Sequence, residues 1–519
     1  MAEEGQSLLY KLKPLTDRLP AVKKPEGHVP FKTKMTWTLT VLIMYFVMTN
    51  VMIYGIATER TDVFEQFRAI MAGASFSLMH LGIGPIVTGS IIMQLFVGAK
   101  IINLDLSKTE DKAVYQGTQK LMVILMIFVE AIPQVYGYLQ PSASLIDAYG
   151  GNMGKGIIIA QLFVGSYLVF LMDEVVSKWG IGSGVSLFIA AGVSQAIITG
   201  TINWIPVDRN SPLTVGGSQT PANLPTGAIP KTIYVIQHMS VGEFSQRGFE
   251  MIFLGEPNPL IALLGTLTIF FIVSYAESTR IELPLAHGRV RGARGRYPIR
   301  LIYASNIPVI LMSALLANVN MFTLLFYTNP SLKRVPILGH NWMIGKYSPG
   351  QTVPDAGLAY YLSQVRGVHE WLLPLLNQDQ YGQFIGNHSY VQTAVHVIVY
   401  VMVMVIGSVI FAKFWIATTN MGPEDVAKQI QQSGMQIPGF RRDPRVLRRV
   451  LERYIPMVTV ISGAFVGLLA ASADLIGTVG RTSGTGVLLT VGIMIQLYEA
   501  IGREQLMEMH PVLRGFFGE

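Results

Sequence analysis

The sequence contains no cysteine, which excludes a disulfide framework and thiolate metal ligation and leaves the redox compartment unread. Charge is also scarce. Only 14% of the 519 residues are Asp, Glu, Lys or Arg, against roughly 25% in an ordinary soluble domain. There is no complete Walker A loop and no HExxH, and "GIGSGVS" at 180–186 follows a helical pattern rather than the strand a dinucleotide turn requires. Those glycines read as helix punctuation. Within the apolar runs the main ionisable residues are Glu130, His396 and Asp474, too few for the midplane cluster an ion-coupled transporter uses. Glu130 and Asp474 fall toward the outer ends of their runs, where snorkelling or interfacial hydration is the ordinary expectation. The first 34 residues are polar and basic, without an apolar core or cleavage site, so no removable signal peptide is expected.

What the sequence does have is hydrophobicity. Half of the residues are hydrophobic and the mean hydropathy is positive, as in a polytopic membrane protein. A hydrocarbon core of roughly 30 Å takes about 20 apolar residues to cross. Ten such runs occur, near 36–56, 82–102, 119–139, 156–176, 183–203, 258–277, 303–327, 393–416, 455–477 and 482–501. An even number puts both termini on one side. Placing them in the cytoplasm leaves 28 of the 39 lysines and arginines on the inner side, as basic-loop topology requires. The expected order is a cytoplasmic N-terminal arm (1–34), a first half (35–204), an outer loop (205–257), a second half (258–501) and a cytoplasmic tail (502–519). Within the second half, 278–302 and 417–454 are cytoplasmic loops.

These two loops are rich in arginine. The first carries Arg289, Arg291, Arg294, Arg296 and Arg300, spaced by glycine and short enough for a hairpin-like projection. The second carries Arg441, Arg442, Arg445, Arg448, Arg449 and Arg453. Two readings stand on composition alone: orientation signals beside anionic lipid, or a surface for a polyanion such as RNA, bound through its phosphates.

Residues 58–80 are too charged to cross lipid and too apolar for a solvated linker. Phe64, Phe67, Ile70 and Met71 recur at helical spacing, with Glu65 and Arg68 on another face, which predicts a short amphipathic helix. "LGIGPIV" follows. It reads as the break in a helix that folds in from outside, turns at the glycines and restarts at Pro85, where a missing N–H costs nothing. Irregular backbone at membrane depth implies surrounding protein or a water-filled cavity. A surface loop that merely ends at Gly and Pro is the alternative.

"LGIGPIVTGSIIMQL", "DEVVSKWGIGSGVSLFIAAGVSQ", "LPLAHGRVRGARGRYPIRLIYASNIPVIL", "PILGH" and "SGTGVLLTVGIMIQLYE" together resemble the SecY family, the central subunit of the general secretory protein-conducting channel, in its archaeal form. The resemblance runs over most of the chain and departs from it in the long outer loops, 203–257 and 328–391. It implies an all-α fold of ten membrane helices in two inverted five-helix halves, with residues 61–74 as a re-entrant plug that includes Phe64, Phe67, Arg68, Ile70 and Met71. It implies a pore ring of Ile83, Val87, Val185, Ile189, Ile310 and Leu489, and Asn318 at a lateral gate between the second and third spans and the seventh and eighth. The implied activity is translocation of unfolded polypeptide and sideways release of hydrophobic segments into lipid, without enzymatic chemistry, cofactor or metal. The implied partners are signal sequences and nascent polypeptide, membrane lipid, a SecE-like and a beta or SecG-like single-span subunit, and a translating ribosome held by Arg289, Arg291, Arg294, Arg296, Arg441 and Arg442. A secondary transporter of a small solute and an insertase without a true pore remain the alternatives.

Overall fold

The computed structural model describes residues 8–27, 29–57, 68, 71–98, 101, 102, 104, 108–206, 214, 215, 218, 219, 224–255, 257–287, 294–300, 306–328, 343–347, 354–365, 367–376, 388–419, 421–432, 435, 436 and 444–509. Ten of the helices among them fall on the ten apolar runs. They are α1 (Phe31–Asn50), α2 (Gly84–Gly98), α3 (Thr109–Gly137), α4 (Gly151–Trp179), α5 (Gly184–Ile202), α6 (Leu260–Ser278), α7 (Ile307–Thr328), α8 (Tyr390–Thr418), α9 (Pro444–Ile476) and α10 (Gly484–Met509). Eight of these are long and apolar enough to cross a membrane; α2 is shorter, and α1 is 20 residues long.

Four boundaries differ from expectation by more than five residues: α3 starts at Thr109 rather than 119, its charged first turn lying outside the apolar run, and the other three each have a local reason. The first run was expected at 36–56, but α1 begins behind Pro30 and ends at Asn50. Its successors leave the helix because they pair elsewhere: Leu78 N–H donates to Val51 O at 2.9 Å and Ile53 N–H to Phe76 O at 2.9 Å. Helix α9 starts at Pro444 rather than 455, so Arg445, Arg448, Arg449 and Arg453 ride on a helix and not on a loop. Helix α10 continues through residue 509, which makes the first part of the expected tail helical. In the last two cases charge ended the apolar run while the backbone hydrogen bonding continued.

One apolar cluster draws buried side chains from all ten helices. Tyr45 of α1 stacks on Phe188 of α5, centroids 5.2 Å apart. Helices α8 and α9 approach through Gly463 and Gly467. A methyl group at these positions would lie 2.9 Å from Val409 Cα and 2.7 Å from Met404 O, the close backbone contact that small residues four apart permit between membrane helices.

The two halves repeat one device. In the first, Asp173 of α4 accepts the Val185 N–H at 2.9 Å, at the start of α5 just after Ser183 and Gly184. In the second, Asp474 of α9 accepts the Thr485 N–H at 2.9 Å and its hydroxyl at 2.8 Å, at the start of α10 just after Ser483 and Gly484. Each carboxyl group thus meets unpaired donors of the next helix's first turn. Asp474 also accepts from Tyr400 of α8 at 2.6 Å and is only 2% exposed. The expectation of interfacial hydration at Asp474 is therefore corrected: its partners are protein groups.

The N-terminal arm is strapped to α3 and α4. Val22 N–H donates to Glu174 at 2.8 Å, Lys178 donates to Val22 O at 2.6 Å and Trp179 to Lys23 O at 2.8 Å. Tyr10 donates to the Asp111 carboxylate, and this bond, with the nearby negative charge, pushes the phenol up to about 12.

Candidate functional site

The break before α2 is built from backbone hydrogen bonds. Arg68 is helical, and Ala72 then turns left-handed at φ 49°. Gly73 N–H reaches back to Arg68 O at 2.8 Å, the six-to-one bond that closes a helix end. Residues 71–74 are turn and extended chain, so the expected plug range of 61–74 overruns the helix by about one turn. Phe64, Phe67 and Ile70 lie outside the described residues. The chain then curls under itself, with Ile83 N–H on Met71 O at 2.7 Å. Gly82 sits at φ +55°, and a side chain there would meet Met71 O at 2.1 Å. Only glycine fits both the conformation and the space. Helix α2 starts at Gly84, with Pro85 in its first turn.

The six aliphatic positions come from four helix starts. Ile83 immediately precedes α2 and Val87 lies in its first turn; Val185 and Ile189 open α5, Ile310 opens α7 and Leu489 lies in the second turn of α10. Ile83, Ile189 and Leu489 are fully buried, Val87 and Ile310 nearly so, and Val185 is partly exposed. All pack into the same cluster as Ala72, Met79 and Leu81 from the chain ahead of α2, with Met71 against it. Aliphatic side chains offer no ligand to replace an ion's hydration shell and disfavour a continuous water column.

Beside this cluster runs a polar line across three helices. Asn318 of α7 donates to Thr88 Oγ1 of α2 at 3.0 Å and to Ala314 O at 3.0 Å. Thr88 lies 2.9 Å from both Glu130 Oε1 of α3 and Gly84 O, between which it shares its one proton. Glu130 is 4% exposed, so the expectation that it reaches interfacial water is corrected. A cavity of about 50 Å³ lies against it, lined by Arg68, Met71, Leu81, Gln134 and Asn318 among others. That is room for a few water molecules.

The same cavity meets the plug end. Arg68, 7% exposed, donates to Tyr138 Oη at 2.9 Å and to His80 O. Tyr138 donates onward to Gln134 Oε1 at 2.8 Å. Sequence reading picked out Asn318, Arg68 and Met71 but missed Thr88, Gln134 and Tyr138. A hydroxyl or amide at i, i+4 spacing from the Glu130 position was the available signal.

The first arginine loop forms an antiparallel hairpin of β1 (Arg280–His287) and β2 (Arg294–Arg300), which holds Arg294 and Arg296 in β2. Strand β3 (Met435–Gln436) from the second loop adds to β1, with His287 opposite Met435. One sheet thereby joins the two loops. Arg289, Arg291, Arg441 and Arg442 lie outside the described residues. Arg448 is engaged within the protein, donating to Glu452 at 2.7 Å and pairing with Glu424.

The chain is similar to known proteins over almost its whole length. A family model described as SecY matches residues 77–498, and one described as the plug domain of Sec61p matches residues 43–75. The protein translocase subunit SecY of Haloferax volcanii is 46% identical, covering 97% of this chain and 98% of the relative. That of Archaeoglobus fulgidus is 43% identical, covering 99% of each. Among solved structures, a protein-conducting channel at 38% identity superposes with a TM-score of 0.74, covering 96% of this chain and 98% of that one. Sec61 in a canine ribosome-channel complex, at 37% identity and the same coverage, gives 0.72.

Proposed function

The chain belongs to the SecY family, and on that premise we propose that the six aliphatic positions form its pore ring and the chain ahead of α2 its plug. As a multi-pass membrane protein of this family it conducts unfolded polypeptide and releases hydrophobic segments into lipid. The observation that carries the ring is that Ile83, Val87, Ile189, Ile310 and Leu489, all buried, lie at or beside the starts of four helices that pack in succession, α5 on α10, α10 on α7 and α7 on α2. Aliphatic side chains can part around an extended chain and close again, because no directed bond has to be remade. Asn318, Thr88 and Glu130 cross the seam between α7 and the α2–α3 pair, which supports a gate there.

Both termini face the cytoplasm, on the side of the arginine loops. Arg289, Arg291, Arg294, Arg296, Arg441 and Arg442 hold a translating ribosome, a reading supported by the ribosome-bound relative and by the sheet that joins the two loops. SecE-like and beta or SecG-like single-span subunits complete the channel. The test is reconstitution of the purified channel with residues 61–74 removed. Resting ion conductance in planar bilayers is expected to rise while polypeptide passage survives. A silent baseline in a folded variant would overturn the plug assignment.

A further inference from the structure

The loop between α5 and α6 carries a helix, Ala228–His238, with two different apolar faces. One face is used: Val235 packs with Leu224 and Ile252. Lys231, wholly buried, donates from Nζ to Gly255 O at 2.6 Å and Pro257 O at 2.8 Å. The other face is bare. Ile229, Ile233 and Ile236 follow one another at i, i+4 and i+7 and are 45%, 36% and 59% exposed, a single helical stripe. Three isoleucines on one exposed stripe make a continuous patch rather than scattered surface residues.

The depth of this stripe is fixed by the two spans it joins. At its start, Gly227 N–H donates to Asn203 O at 2.8 Å, one residue beyond the end of α5 at Ile202. At its other side the Lys231 bonds hold the chain just ahead of α6, which starts at Leu260. The helix, about 16 Å long, is thus tied to the ends of two membrane helices on the same face of the bilayer. Beside it, Ile198, Ile202, Trp204 and Ile205 are 56% to 68% exposed at the end of α5. Tryptophan at this level is typical of a membrane interface.

We propose that Ala228–His238 is an interfacial anchor that sinks Ile229, Ile233 and Ile236 into the acyl chains of the leaflet opposite the arginine loops. The occupant of the stripe is lipid because the patch continues the exposed apolar surface of α5, a helix of membrane-spanning length, at the depth where that helix ends. A short amphipathic helix held at this depth buries its apolar face at the headgroup boundary. The anchor gives the connection between the two halves a fixed level in the membrane.

The absence of cysteine makes the test clean. Ile233→Cys, Ile236→Cys and, as an aqueous control, Glu243→Cys each receive a bimane label, and the channel is placed in phosphatidylcholine nanodiscs. With lipid carrying a doxyl group near the headgroup, labels at 233 and 236 are expected to lose emission, since a buried apolar face lies at that depth, and the label at 243 to be quenched by iodide instead. Iodide quenching at 233 and 236 would show the stripe in water and overturn the proposal. Protection from both quenchers would mean that a protein surface covers the stripe, and would overturn it equally. These positions are exposed, so the substitutions leave the core intact.

Discussion

Truncating Ile189 separates a pore ring from ordinary packing. The side chain is fully buried, so Ile189→Ala removes three carbons from a filled site at roughly 0.8 kcal/mol each before any cavity term, and about 2–5 kcal/mol in all. If those contacts exist in every folded state, the whole loss appears as reduced thermal stability. If Ile189 belongs to a ring that parts when the channel opens, part of the loss falls on the closed state alone. A share of about 1.4 kcal/mol raises the resting open fraction roughly tenfold. The comparison is Leu162→Ala, equally buried but on α4, a helix that supplies none of the six ring positions. Planar-bilayer recordings of both, with melting followed in detergent, should show Leu162→Ala melting early and silent, and Ile189→Ala conducting at rest. Equal melting losses with equal silence would refute the ring. Replacing Ile83 and Ile189 together by glycine is a poorer test, since two such losses approach the entire 5–15 kcal/mol of a typical fold.

Single cysteines at 294 and 441 should react with impermeant reagent only from the cytoplasmic side, and labelling from outside would break the expected topology. Charge reversal at both positions should weaken ribosome binding and flatten its log-log salt dependence by roughly 1.5, for two lost phosphate contacts; an unchanged slope with intact topology would leave the arginines as orientation signals. Asp474→Asn keeps the shape of the side chain but alters a site that accepts three hydrogen bonds, and a loss of about 3 kcal/mol in stability is expected, measured as early melting. The same change at Asp173, with fewer bonds and partial exposure, should cost less.

Apolar length made the ten helices legible, because about 20 residues must be spent to cross lipid. The restart at α2 was legible from Gly82, Gly84 and Pro85, whose backbone demands are independent of tertiary context. The surroundings of Glu130 and Asp474 were not, since position in a run gives depth and says nothing of the partners a neighbouring helix supplies. Thr88 was hidden for a related reason: a threonine in a membrane helix ordinarily bonds its own i−4 carbonyl, and Thr88 also does so with Gly84 O. The isoleucine stripe escaped notice because an 11-residue helix containing a lysine falls below any membrane-length criterion. The helical extension of α9 was lost because charge, which ends an apolar run, does not end a helix.

The distribution of bonds also decides where the bundle yields. Helices α4 with α5, and α9 with α10, are joined by carboxyl groups that accept backbone N–H donors at a helix start, bonds of the stronger, charge-complementary kind. Helices α8 and α9 are locked by backbone contact at Gly463 and Gly467. Across the seam between α2 and α7, by contrast, the described side-chain hydrogen bond is the neutral one from Asn318 to Thr88, worth about 0.5–1.5 kcal/mol and near 0.6 on average between membrane helices. Losing it changes an opening equilibrium by only a few-fold. On the proposed reading of a gate at this seam, an entering apolar segment that replaces α2–α7 contacts with its own gives up one neutral hydrogen bond there, while the pairs joined by carboxyl groups keep theirs.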